Sequence, residues 1–355
     1  MRLVFIGLSL SSSWGNGHAT TYRALLKALN KRGHELLFLE REQPWYAAHR
    51  DLPAPDFCTL RFYERVTDLN GFAREIARAD ALIIGSYVPD GVKIISRVAP
   101  LARRLAYYDI DTPVTMRALQ AGGVAYLSAS QIPLFDVYLS FTGGPVLQEL
   151  ERHWGARCAR PLYCAVDPAL HHPVDVPRRW NLGYIGTYSP DRQPAVERLV
   201  IEPARRLPQS RFVVAGPQYP SDIAWPANVD RIDHLAPADH ASFYSSLGWA
   251  LNVTREDMIR AGWSPSVRLF EATACGVPVI SDQWAGLDHF FEPEREILVA
   301  NTPDDVIRAL QSTPSRRNRI GEAALARTQE QHTAAVRAKE LETYLTAAVA
   351  EMAAD

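Results

Sequence analysis

Apolar residues in this chain fall in short runs separated by amphipathic stretches. Residues 3–7, 35–40, 81–85, 104–109 and 136–140 are short, β-branched or aromatic, and bounded by polar turns, so each is predicted to be a strand. Between most of them lie stretches with helical periodicity, such as 18–31 and 145–153. Strand-helix alternation predicts a parallel sheet with helices on both faces. The alternation pauses at 166–180, which holds three prolines, two adjacent histidines and no clear period, and reads as an interdomain linker. It restarts with strand candidates at 182–186, 211–216, 229–232, 249–253, 277–281 and 297–300. The expected organisation is therefore an α/β chain of two doubly wound units, 1–165 and 181–333. A last helical stretch at 334–352 is expected to cross back onto the first unit.

The length of 355 residues suits two domains, and 47% hydrophobic with 22% charged residues is a globular composition. The formal net charge of -2 excludes a global attraction to nucleic acid or anionic membrane, so any anion site is local. Cys58, Cys158, Cys164 and Cys275 form no CxxC pair, which predicts neither a zinc site nor a disulfide framework. The first apolar run is too short for a signal peptide, and no segment approaches about 20 continuous apolar residues. The expected location is the cytoplasm.

The most informative segment runs from Ala261 to Ile280. Ser264 suits an N-cap, Pro265 suits the first helical position, and Gly276 ends the helix before the next strand. The amides near Gly262–Ser266, with the helix dipole behind them, make a candidate diphosphate site. Arg268 and Glu271 stand three apart and share a helix face. There the arginine can pair with phosphate and the carboxylate can accept two ribose hydroxyls. A surface ion pair on an amphipathic helix is the plainer alternative. A Gly-containing loop ahead of a helix in a doubly wound domain favours a ligand site, because ligands gather at strand carboxyl ends.

The runs Leu251-Asn252-Val253-Thr254-Arg255, Gly262-Trp263-Ser264-Pro265-Ser266-Val267-Arg268-Leu269-Phe270-Glu271-Ala272 and Ala274-Cys275-Gly276-Val277-Pro278-Val279-Ile280-Ser281-Asp282 resemble the C-terminal domain of CgeB-like glycosyltransferases. The N-terminal half is similar to the same group through Ser13-Trp14-Gly15-Asn16-Gly17-His18, Tyr107-Tyr108-Asp109-Ile110-Asp111-Thr112-Pro113 and Ser140-Phe141-Thr142-Gly143-Gly144-Pro145. The resemblance implies a GT-B architecture of two Rossmann-like domains facing across a cleft, in the broad retaining class. In that class two glutamates stand eight positions apart. Glu271 matches the second, which holds the nucleotide ribose. The first, near the donor sugar, is Trp263 here, so the sugar contacts are not carried over.

Other candidates follow from position. Gly15, Asn16 and Gly17 precede His18 at a helix start, but the third glycine of a dinucleotide fingerprint is replaced by Thr20. His18 is a candidate base or hydrogen-bond donor, with Asp109 or Asp111 as its orienting carboxylate. In that case the reaction would invert. Asp109-Ile110-Asp111 also resembles the metal-binding pair of GT-A enzymes, but its place after an apolar strand in a two-Rossmann chain argues against a metal. In the second unit Thr187 and Arg192 follow its first strand. Arg255 follows the strand at 249–253 and is a candidate phosphate contact. His234, after 229–232, is a candidate wall for the nucleobase.

The expected function is transfer of a sugar from a UDP, TDP or GDP sugar to a hydroxyl on a glycan, lipid or small molecule. Retention, no required cofactor and no essential metal are expected. A sugar-nucleotide 2-epimerase and a non-catalytic sugar-nucleotide-binding protein are the alternatives. No aromatic-basic interleaving points to nucleic acid.

Overall fold

The computed structural model describes residues 1–14 and 17–352; Gly15 and Asn16 of the first loop lie outside the described residues. The chain divides into two compact units. One is formed by 1–164 with 334–355, the other by 165–333.

Among the described residues the first unit carries seven strands: β1 (Arg2–Gly7), β2 (Glu35–Arg41), β3 (Thr59–Tyr63), β4 (Ala81–Gly85), β5 (Leu105–Asp109), β6 (Val137–Ser140) and β7 (Ala159–Pro161). They pair in the order β3-β2-β1-β4-β5-β6-β7, and every pairing is parallel. Two of these strands, β3 and β7, were not expected from the sequence. β3 alternates exposed and buried positions at an edge, and β7 is three residues long, so neither has a continuous apolar run. By contrast β4 and β5 are buried throughout, as a sheet covered on both faces requires.

The helix His18–Lys31 buries Ala19, Tyr22, Ala24, Leu25, Leu26, Ala28 and Leu29. The helix Ala334–Met352 packs beside it in the same core, with Ala334, Ala338, Leu341 and Leu345 joining Tyr22, Leu29 and Phe38. Arg32 and His34 both bond to the Glu342 carboxylate, and Arg104 donates to the Leu345 carbonyl. The Ser-rich loop after β1 is tied down by one buried carboxylate. Glu40, at the carboxyl end of β2, accepts from the amides of Leu10 and Ser11 at 2.6 and 2.8 Å and from the Ser11 hydroxyl at 2.6 Å.

The second unit carries β8 (Trp180–Ile185), β9 (Phe212–Ala215), β10 (Val229–Ile232), β11 (Leu247–Asn252), β12 (Val279–Ser281) and β13 (Leu298–Val299). Their order is β10-β9-β8-β11-β12-β13, again all parallel. Its core holds Leu182, Tyr184, Phe212, Trp249, Leu251 and Ile280 on the strands, closed by Val196, Leu199 and Val306. Each sheet reverses its strand order once, between β1 and β4 in the first unit and between β8 and β11 in the second. In such sheets the point where the strand order reverses, at the carboxyl ends of the strands, is the usual ligand position. Among the described residues no helix is long and apolar enough to cross a membrane.

Candidate nucleotide-sugar site

The second unit brings three arginines, Arg192, Arg255 and Arg268, to its switch point. β8 ends at Ile185, and the loop after it passes through Gly186 and Thr187 to Arg192. β11 ends at Asn252, and Arg255 opens the short helix Glu256–Ala261. Arg268 reaches back from the helix Val267–Ala274. Its Nε donates to the Ile185 carbonyl, and its Nη1 donates to Asn252 Oδ1 at 3.2 Å and Ser266 Oγ at 3.3 Å. Its guanidinium lies 5.0 Å from the centroid of the Tyr184 ring. All three acceptors are neutral, so the hydrogen bonds fix the side chain without cancelling its charge. Gly186 leaves the room this requires: a β-carbon there would stand 3.1 Å from Arg268 Nη2 and 2.6 Å from the Tyr184 hydroxyl.

Arg192 donates from Nη2 to the Thr187 carbonyl at 2.6 Å. Burial above all, with the like charges of Arg268 and Arg255, pushes its guanidinium below the ordinary arginine value. Three guanidiniums that feel one another mark a field suited to a dianion. Asp191 is the carboxylate nearest in sequence, and it accepts from the Glu256 amide at 3.2 Å. The strand ends beneath this cluster are locked together. Asp282 accepts from the Thr254 amide at 2.8 Å and its hydroxyl at 2.7 Å, while Asn252 Nδ2 donates to Thr254 and Ser281. Burial raises the Asp282 carboxyl above its usual value.

The segment leading into the helix differs from the sequence expectation. Ser264 and Pro265 are buried ahead of the helix, and Ser266, in extended conformation, is the N-cap; the first helical residue is Val267. The Ser266 side chain makes no capping bond because its hydroxyl faces Arg268. Gly262 and Trp263 turn the chain with φ of 65° and 43°, and the Trp263 amide donates to the Ala285 carbonyl at 2.7 Å. The left-handed turn at a tryptophan is strained and is held by this bond and by packing on Gly286.

Glu271 lies one turn beyond Arg268 on the same helix and is buried. Its Oε2 accepts from the Tyr244 hydroxyl at 3.2 Å, and its Oε1 stands 3.7 Å from His171 Nε2. His171 comes from the stretch read above as linker. It is buried here, and burial lowers its imidazole below the usual histidine value. His240, at the start of the helix His240–Ser245, lies with its ring centroid 6.1 Å from that of His171, the two planes tilted by 55°. The adjacent pair His171-His172 was the one sequence signal for this, and nothing marked His240 or Tyr244. His234 and Thr187 are exposed, and so is Arg255.

In the first unit, Gly17 is the exposed N-cap of the helix that His18 begins. His18 meets Tyr87 edge to face at 5.2 Å, its Nδ1 is buried, and burial pushes its pKa down to about 4. The expected pairing of His18 with a carboxylate is not what the structure holds. Tyr87 intervenes: its hydroxyl donates to Asp111 Oδ2 at 3.2 Å, and its ring stacks on Tyr126 at 4.7 Å. Asp109 is fully buried and corrects the expectation of an accessible carboxylate. It accepts from the Tyr138 hydroxyl at 2.6 Å and the Thr115 hydroxyl at 2.9 Å, and burial pushes it up to about 6. Its position at the very end of β5, flanked by β4 and β6, buries it. Tyr87 carries no sequence signal, because its role depends on a left-handed φ of 62° at the end of β4. A cavity of about 740 Å³ lies at the opposite, amino-terminal ends of β1–β3, lined by Arg2, Glu35 and Thr59, and involves none of these residues.

Residues 192–343 match the family model described as glycosyl transferase-like. Solved structures are similar over nearly the whole chain. Sucrose-phosphate synthase from Thermosynechococcus elongatus is similar at 15% identity over 98% of this chain and 99% of that one, with a TM-score of 0.70. HepE of Anabaena, solved with UDP and glucose, is similar at 12% identity over 98% and 100%, with a TM-score of 0.66. An alpha-glucosyltransferase solved with UDP-glucose and DNA containing an abasic site is similar at 14% over 97% and 99%, with a TM-score of 0.69. No curated protein sequence matches the chain. The fold is that of GT-B glycosyltransferases: two parallel, doubly wound sheets in series.

Proposed function

We propose that this protein transfers a sugar from a nucleoside-diphosphate sugar to a hydroxyl acceptor, with the donor held in the second unit. The observation that carries the reading is the convergence of Arg192, Arg255 and Arg268 at the switch point beside the buried Glu271. The diphosphate would lie against the guanidiniums and the first amides of the helix Val267–Ala274. Charge grows on the diphosphate as the glycosidic bond breaks, and fixed cations stabilise that charge more than the ground state. These cations would supply what a metal supplies elsewhere, so no metal is needed for the chemistry. Glu271 would accept the two ribose hydroxyls, and Trp263 would contact the sugar where the wider class has a glutamate.

UDP is the first nucleotide to test, because the HepE and alpha-glucosyltransferase structures hold it. The CgeB-like motifs support retention, in which the leaving phosphate takes the acceptor proton and no strong side-chain base is required. On that reading His18 and Asp111 in the first unit bind the acceptor, and Asp109 supports them from beneath. The test is calorimetry with UDP, GDP, TDP and ADP, followed by NMR of the anomeric product with an acceptor panel. One nucleotide should bind to wild type and bind at least tenfold more weakly to Glu271→Ala. Binding of none, or equal binding to the variant, removes the reading.

A further inference from the structure

We propose that His171, His240 and Glu271 form a zinc-class divalent-metal site that shares its carboxylate with the nucleotide. One imidazole nitrogen from each histidine and one oxygen of Glu271 all lie within 4.8 Å of one another. The closest pair, His171 Nε2 and Glu271 Oε1, stands at 3.7 Å. Two ligands at about 2.0–2.1 Å from a tetrahedral zinc stand about 3.3 Å apart, so this pair already brackets a metal position. A separation of 3.7 Å is too long for a hydrogen bond, and Nε2 of His171 is buried without a hydrogen-bond partner. Buried polar atoms left in this way are uncommon and costly. A metal on Nε2 would satisfy one of them.

The donor chemistry selects the metal. Two imidazoles and one carboxylate suit zinc, cobalt or nickel; magnesium and calcium prefer all-oxygen shells. Three protein ligands leave a fourth position for water or another small donor. The second shell is present: the Tyr244 hydroxyl holds the other Glu271 oxygen at 3.2 Å, and the His240 ring packs edge to face on Tyr244 at 6.4 Å. His171 itself is anchored through its amide to the Asp167 carbonyl at 3.0 Å.

This site rests on the nucleotide reading in one respect only: Glu271 cannot hold ribose hydroxyls and a metal with the same oxygen. Metal and nucleotide then exclude one another, and zinc is an inhibitor of donor binding rather than a participant in transfer.

The experiment begins with chelator-stripped full-length protein and zinc or cobalt alone. Calorimetry should give one site per chain, and cobalt should give the visible bands of a tetrahedral centre. His171→Ala and His240→Ala should each weaken that site at least tenfold with unchanged circular dichroism. His171→Gln, which keeps a polar side chain, tests whether the loss reflects coordination rather than folding, and it should lose the cobalt spectrum too. UDP binding is then measured with and without one equivalent of zinc. Free UDP chelates zinc equally with either protein, so a zinc effect in wild type that is absent in His171→Ala isolates the site. A wild-type chain without a stoichiometric site, histidine variants that bind metal as wild type does, or metal and UDP bound independently would each overturn the proposal. If UDP fails to bind even without metal, the nucleotide reading falls while the metal titration still decides the site.

Discussion

The indole of Trp263 rests directly on Gly286. A β-carbon built at residue 286 would come within 2.6 Å of the ring, and Gly286 has a φ of 86°. The contact joins the loop before the helix Val267–Ala274 to the loop after β12, and it holds a tryptophan whose own φ is positive. Gly286→Ala adds left-handed strain of about 1–2 kcal/mol and overpacking of about 1–3 kcal/mol. Urea unfolding should show that loss, and tryptophan emission should shift as the indole is displaced. An unchanged midpoint and spectrum would contradict it.

Arg268 uses separate nitrogens for the Ile185 carbonyl and for Asn252 with Ser266. A lysine has one point of charge and cannot reproduce that fork. If the side chain also meets the diphosphate, Arg268→Ala loses a charge-assisted bond of about 1.5–3 kcal/mol, roughly a 10–100-fold fall in UDP affinity. Arg268→Lys should recover little of it. Calorimetry on both variants checks this, and wild-type affinity in the lysine variant would refute the fork.

Asp109 gives a pH dependence of defined sign. Its folded pKa of about 6 stands above the ordinary aspartate value of 3.8, so the folded protein keeps a proton that the unfolded chain has lost between those values. Its contribution to stability is full below 3.8 and is lost as pH rises through 6. Asp109→Asn removes that dependence. The stability of wild type minus that of the variant should therefore fall from pH 4 to pH 6 by roughly 2 kcal/mol. His18 acts in the opposite direction: its pKa is lowered to about 4, so its contribution is present above 6.5 and is lost as pH falls through 4. Urea curves for Asp109→Asn and wild type across that range separate the two, and a flat difference would exclude the buried-carboxylate account.

Leu341 on the C-terminal helix is fully buried against the core of the first unit. Leu341→Ala should cost about 2–5 kcal/mol. Hydrogen exchange should then speed up in the helices His18–Lys31 and Ala334–Met352 together, because they share that core. Faster exchange confined to the second unit would place the helix elsewhere in the energetics.

Much of this architecture was legible from periodicity. Runs such as 81–85, apolar, short and bounded by polar turns, read as strands buried on both faces, and the helix at 18–31 reads directly from its spacing. β3 escaped because an edge strand buries one face, and its Arg61 and Thr59 look like loop. Of the candidate site, Arg268 and Glu271 were visible because three residues of helical spacing fix their shared face before any folding occurs. The start of that helix was misplaced by two residues, since Ser264, Pro265 and Ser266 all carry capping chemistry and only the path of the chain past Ala285 selects among them.

By itself the sequence determined what is local and periodic: two doubly wound sheets, their strand ends, and one helix face bearing an arginine and a glutamate. Only the tertiary structure decided which distant side chains meet within each unit. His171 approaches Glu271 from an aperiodic stretch, His240 from the helix before β11, and Tyr87 displaces the carboxylates from His18. Such meetings depend on strand order and on single backbone angles, which leave no repeating trace in the order of residues.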